Sequence, residues 1–167
     1  MMDSVTMTIN GREYTFMIGD GFGQIPATET LVQTLRDRLR LTGTKISCDE
    51  GACGACAVLI DDRAVASCST LTVECGGRNI VTIEGLADPV TGELDPVQQA
   101  IMDYSAFQCG FCTPGIIIAA KALLLHNPHP TEKDFEEALA GNLCRCISHY
   151  RVMEALRMFM AKEVPHA

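Results

Sequence analysis

At 167 residues the chain has room for one or two small domains. Hydrophobic residues make up 47% and charged residues 20%, a globular profile with enough apolar surface to suit lasting contact with other subunits. The net charge of −8 argues against nucleic acid, whose binders present basic patches, and against anionic membrane surfaces.

Along the chain, residues 5–10 and 13–18 alternate apolar and polar side chains around Asn10-Gly11, which predicts a β-hairpin. Gly19-Asp20-Gly21-Phe22-Gly23-Gln24 has the look of a phosphate-binding loop, but no strand–turn–helix unit of dinucleotide type follows it, so an exposed loop is expected. Leu31, Val32, Leu35 and Leu39 stand at helical spacing within 30–41, with Gly43 as a stop. Short strands follow at 57–60, 63–66 and 80–83, the first two joined by Asp61-Asp62. Strands packed about one helix give a small α+β domain, residues 1–85.

Asp88-Pro89 and Thr91-Gly92 mark 86–94 as a linker. From 95 to 167 every element reads as helix. Asp95-Pro96 pairs an N-cap with proline at the first helical position and opens a helix to about residue 107. Thr113-Pro114 repeats that signal for a helix to about residue 126, ended by Asn127-Pro128. Thr131 and Asp134 resemble a capping box before a third helix closed by Gly141. A fourth spans about 150–162, with Val152, Leu156 and Phe159 on one face.

No apolar run reaches membrane-spanning length. The start, Met1-Met2-Asp3-Ser4-Val5-Thr6-Met7-Thr8, lacks the basic and apolar stretches of a secretory signal. Nine reduced cysteines then make a cytoplasmic protein the expectation.

Eight of those cysteines form two quartets. The first, Cys48-x4-Cys53-x2-Cys56-x11-Cys68, opens with the spacing of plant-type [2Fe–2S] ferredoxins. Gly51 and Gly54 let its loop turn tightly, so that backbone N–H groups can point at the sulfurs and help set the potential. Zinc also takes four thiolates, but usually on two short hooks, whereas three of these ligands share one loop. The second quartet, Cys109-x2-Cys112-x31-Cys144-x1-Cys146, does have two hooks, and spacing leaves iron–sulfur and zinc both open. Each hook lies beside a helix start, where unpaired N–H groups favour an anion. An odd cysteine count argues against a disulfide framework, and Cys75 is left as a buried small hydrophobe.

Among the remaining polar residues, His126 and His129 flank a turn and are expected to be solvated, and His149 to be a surface or packing residue at the last helix start. Arg145, between two ligands, suits charge compensation, a partner contact or a surface ion pair. No nucleophile–base pair or carboxylate dyad stands out, so substrate chemistry is expected on another chain.

Laid out in this order, the sequence resembles the small iron–sulfur subunit of the molybdenum hydroxylases, the xanthine dehydrogenase and aldehyde oxidoreductase family. The motifs that carry the resemblance are Leu41-Thr42-Gly43-Thr44-Lys45, Glu50-Gly51-Ala52-Cys53-Gly54-Ala55-Cys56, Thr82-Ile83-Glu84-Gly85-Leu86, Gln108-Cys109-Gly110-Phe111-Cys112-Thr113-Pro114-Gly115 and Gly141-Asn142-Leu143-Cys144-Arg145-Cys146. They cover almost the whole chain.

The resemblance implies an α+β fold: an N-terminal β-grasp, plant-type ferredoxin-like domain and a C-terminal four-helix bundle, each holding one [2Fe–2S] cluster. It implies electron transfer from molybdopterin in a large catalytic subunit, through the Cys109, Cys112, Cys144, Cys146 cluster and then the Cys48, Cys53, Cys56, Cys68 cluster, to FAD in a medium subunit. Gln108 and Cys146 would sit closest to the pterin. It also implies a dimer of heterotrimers, in the separate-subunit form, with substrate selectivity in the large subunit. A free-standing two-cluster ferredoxin is the alternative, and a zinc-stabilised interaction module a third reading. Three positions depart from the family pattern: Ser47 where glycine is usual, Ile147-Ser148-His149-Tyr150 after the last ligand, and the loop at 19–24.

Overall fold

The computed structural model describes residues 4–163; the first residues of the N-terminal reading, 1–3, and the last four of the chain lie outside it. Strands β1 (Ser4–Ile9) and β2 (Arg12–Met17) pair antiparallel. Their turn, Asn10-Gly11, has φ of 49° and 76°, the left-handed pair that a two-residue hairpin demands. Asp61 and Asp62, at 47° and 66°, make the same reversal without glycine between β3 (Ala57–Ile60) and β4 (Arg63–Ala66). The Asp61 carboxylate then accepts hydrogen bonds from the Asn79 N–H at 3.0 Å and Arg78 at 2.7 Å, tying the turn to β5 (Asn79–Val81). The sheet runs β2-β1-β5-β3-β4, with β5 parallel to β1 and antiparallel to β3.

Alternation along β1 turns Val5, Met7 and Ile9 to one face, where they pack with Leu31, Leu35, Val58 and Ile80. Cys75 lies in the same core, 1% exposed, and burial pushes its thiol up to about 11, as a small hydrophobe's would be. The helix read at 30–41 is shorter and wider than its apolar spacing predicts. It begins as α1 (Leu31–Gln33) and opens into a π-turn at Thr34–Arg38, where the Leu39 N–H reaches back to the Thr34 carbonyl at 3.1 Å. Thr34 is fully buried at that junction, its hydroxyl donating to Glu29 at 2.6 Å and accepting from Thr72 at 2.7 Å. Arg40, with φ of 60°, ends the segment.

The second half holds α2 (Pro96–Asp103), α3 (Thr113–His126), α4 (Glu132–Leu139) and α5 (His149–Glu163). Asp95 caps α2 through the Val97 N–H at 3.0 Å and meets Lys121 of α3 at 2.5 Å. The helix stops before the expected residue 107 because Ser105 adopts a left-handed φ of 48°. α2 packs on α3 and α5, and α4 on the same two, around Ile101, Ile116, Phe135 and Leu156. The face of α3 opposite that core sets Ile118 and Ala122 against Ala57 and Leu59 of β3. A helix apolar on both faces packs on two sides, and this one joins the sheet to the helices. Leu86 packs against both of these cores. The architecture is α+β, a ferredoxin-like sheet half beside a helical half. Among the described residues no helix is long and apolar enough to cross a membrane.

Candidate iron–sulfur sites

The first quartet sits between α1 and β4. Cys48 is half-buried at the start of its loop, while Cys53, Cys56 and Cys68 are buried. Asp49, Gly51 and Gly54 all have positive φ, so the loop curls with its amides turned inward. The Gly51 N–H donates to Cys68 Sγ at 3.2 Å. The Glu50 amide, then the Cys53 thiol and the Cys53 and Ala52 amides, hold the Cys48 thiol down at about 7. Cys56, by contrast, is pushed up to about 11, chiefly by burial. A thiol that deep gives up its proton only to a positive centre such as iron.

The second quartet faces outward. Cys109 and Cys146 are exposed, with the Cys146 Sγ–H donating to Cys109 Sγ at 3.5 Å, and Cys112 and Cys144 stand half-buried behind them. The Phe111 amide, with the Cys146 thiol, holds the Cys109 thiol below its ordinary range; Cys146 is raised by its bond to Cys109. Burial, followed by the neighbouring Cys144, pushes Cys112 up to about 12. Cys112 occupies the N-cap of α3, so that helix's positive end points at the site. The Ile147 N–H donates to Cys144 Sγ at 3.4 Å.

In both quartets the thiols meet two by two: Cys48 with Cys53, Cys56 with Cys68, Cys109 with Cys146, and Cys112 with Cys144. Among the described residues no three His, Cys, Asp or Glu side chains are grouped to hold a single metal ion. Thiols in two pairs, backed by amide donors, fit a centre with two irons.

A cavity of about 540 Å³ runs between the sites and is lined by cysteines of both, together with Ser47, Phe111 and Arg145. The two ligand loops touch at its floor. The Leu143 N–H donates to the Cys53 carbonyl at 2.9 Å, and the Asn142 side chain reaches the Gly54 carbonyl at 3.4 Å. Gly115, in the first turn of α3, presses on the same loop: a Cβ there would stand 2.1 Å from the Gly54 carbonyl oxygen. Sequence reasoning singled out neither Asn142 nor Gly115 for this contact, because the partners are distant in the chain. Gln108 lies exposed beside Cys109, and Arg145 is exposed between its two cysteines. His126 is exposed, as expected, and its ring also lies 3.1 Å from the Asp62 carbonyl, linking α3 to the β3–β4 turn. The loop at 19–24 is largely exposed, as expected.

Two family models match in tandem: a "2Fe-2S iron-sulfur cluster binding domain" over residues 7–79 and a "[2Fe-2S] binding domain" over residues 82–157. A probable xanthine dehydrogenase subunit from Bacillus subtilis is 45% identical over 149 residues, covering 89% of this chain and 80% of that protein. The nicotine 6-hydroxylase small subunit of Paenarthrobacter nicotinovorans is 43% identical over 152 residues, covering 91% and 86%. In the crystal structure of quinoline 2-oxidoreductase from Pseudomonas putida 86, one chain superposes with a TM-score of 0.83 at 34% identity, covering 98% of this chain and 99% of that one. Aldehyde oxidoreductase from Desulfovibrio gigas superposes with a TM-score of 0.82 at 36% identity; there the match covers 96% of this chain but 17% of the longer one.

Fold and sites thus define an electron-transfer protein with two [2Fe–2S] clusters. The chain belongs to the family of small iron–sulfur subunits of the molybdenum hydroxylases. It works as the electron-transfer subunit of an oxidoreductase complex, beside catalytic partners.

Proposed function

We propose that this chain relays electrons between molybdopterin in a large catalytic subunit and FAD in a medium subunit. The observation that carries the reading is the 2.9 Å hydrogen bond from the Leu143 N–H to the Cys53 carbonyl, which joins the ligand loops of both quartets. Two carriers whose loops touch suit a relay. Cys48, Cys53, Cys56 and Cys68 would hold one cluster, and Cys109, Cys112, Cys144 and Cys146 the other. When bound, the clusters supply one-electron carriage at potentials tuned by hydrogen bonds to sulfur and by solvent exposure. The chain's own contribution is the set of amides aimed at Cys48 and Cys68, the α3 N-terminus at Cys112, and the burial of Cys53, Cys56 and Cys68.

Gln108 and Cys146 are assigned to the pterin side, and their exposure supports this. The same reading divides the chain into a β-grasp domain at 1–85, a linker at 86–94 and a helical domain at 95–167. The pairwise packing of α2 to α5 supports a four-helix bundle in that second domain. On this proposal the assembly is a dimer of heterotrimers in the cytoplasm. The alternative, a free-standing ferredoxin, is disfavoured by relatives that are named as subunits and by apolar Phe111 and Leu143 exposed beside the cysteines. The relatives' names mention xanthine, nicotine and aldehydes, a range that fits a common carrier with substrate choice made in the large subunit.

The test is to isolate the native complex containing this chain and record EPR after dithionite reduction, with metal, sulfide and flavin analysis. Two distinct [2Fe–2S] signals, equal iron and sulfide, and co-purifying molybdenum and flavin are expected. A single signal, zinc in place of iron, or a chain that elutes alone would overturn the reading.

A further inference from the structure

The segment 142–149 carries Cys144 and Cys146 from the end of α4 to the start of α5, and its two ends meet. His149, half-buried and the first residue of α5, directs its Nε2–H at the Asn142 carbonyl at 2.7 Å. The acceptor is a carbonyl, so the proton resides on Nε2. Asn142 is itself 5% exposed and held on three sides: its N–H donates to the Leu139 carbonyl at 2.9 Å, its side chain reaches Gly54, and the next amide, of Leu143, bonds to Cys53. Inside the ring so closed, Ile147 is buried and its N–H holds Cys144 Sγ. The 2.7 Å bond to Asn142 gives the imidazole at this place a defined role in the geometry of the segment.

We infer that His149 is a positioning residue for the second cluster: its imidazole clasps the Cys144–Cys146 loop shut and, through Asn142, holds that loop in register with the loop of the first cluster. The inference rests on the two-cluster reading above. Without the clasp, the loop remains attached at Leu143 and at buried Ile147, but the span between them that carries Cys146 loses one of its anchors and opens from Cys109 more often. A single net hydrogen bond corresponds to about a fivefold change in the population of an opened state.

The experiment uses the intact complex carrying His149→Leu or His149→Gln. The rate at which each cluster's EPR signal decays in an iron chelator is recorded, with the first cluster as internal reference. The leucine variant is expected to lose the second signal about fivefold faster, with altered g-values for that signal alone. Glutamine, whose side-chain N–H can donate to the same carbonyl, is expected to restore the parental rate and spectrum. An indifferent leucine variant, equal acceleration of both signals, or a glutamine variant as impaired as leucine would each overturn the inference. A parent complex lacking two signals would end the functional reading as well, whereas two parental signals with an indifferent leucine variant would end this inference alone.

Discussion

Gly115 is the residue at which two opposing effects are most sharply weighed. It lies in the first turn of α3, where alanine is ordinarily favoured over glycine by about 1 kcal/mol. The missing side chain, however, is what lets the helix lie against the first ligand loop. A Cβ would meet the Gly54 oxygen at 2.1 Å, the Gly54 carbonyl carbon at 3.0 Å and Ala55 Cα at 3.2 Å, all of them backbone atoms that no rotamer change can move aside. Overpacking of this kind costs about 1–3 kcal/mol, and against a loop pinned by metal ligands the upper part of that range applies. Gly115→Ala is therefore expected to destabilise the chain by about 2 kcal/mol in urea unfolding and to alter the EPR line shape of the first cluster. Gly141→Ala is the control, since a Cβ there meets nothing within 4 Å; it is expected to change stability by less than about 0.5 kcal/mol. Equal stability of the two variants would mean that α3 and the ligand loop separate without cost.

Among the elements, the α1 segment shows how a long-range contact reshapes what local pattern predicts. Leu31, Leu35 and Leu39 keep to one side whether the turn between them is α or π, so their spacing reveals a helix but not its width. The widening occurs at buried Thr34, whose partner Thr72 is 38 residues away. Asn10-Gly11, Asp95-Pro96 and Thr131 with Asp134 were legible because each turn or cap is completed within a few residues. The premature end of α2 at Ser105 left no such mark. The same distinction runs through the sites: thiol spacing within each loop is visible in the sequence, whereas the link from Asn142 to Gly54 joins positions 88 residues apart. Glu29 makes the α1 segment sensitive to acid. Burial raises its carboxyl, but two hydrogen bonds from Arg38, at 2.5 and 2.6 Å, and one from Thr34 outweigh this and hold it below the ordinary 4.5. A lowered folded-state value means that this stability is present in full above about 4.5 and is lost as the pH falls through the folded value. Glu29→Gln is expected to be about 1–2 kcal/mol less stable at pH 7, with the gap narrowing as the pH falls below about 4.5 in denaturant titrations. A constant gap across that range would mean that the ion pair is not what holds the π-turn.

For the molecule as a whole, the decisive asymmetry is that one site is wrapped by the chain and the other is not. Cys53, Cys56 and Cys68 are buried by α1, the β-sheet and their own loop, while Cys109 and Cys146 are exposed beside Phe111, 45% exposed, and Leu143, 64% exposed. On the proposed relay, these apolar side chains left in solvent around a cofactor site are assigned to the face that the catalytic partner covers. Stripped of partners, the chain is expected to lose its second cluster well before its first when air or chelator is admitted, because solvent reaches Cys109 and Cys146 directly. Adding the partner at about a hundred times its dissociation constant leaves about 1% of that face uncovered, and decay of the second signal is expected to slow about a hundredfold while that of the first hardly changes. EPR time courses on the separated and reassembled complex supply both rates. If the first signal were the one rescued, the covering partner would lie on the sheet side, and the exposed cysteines would have to be protected by something other than the large subunit.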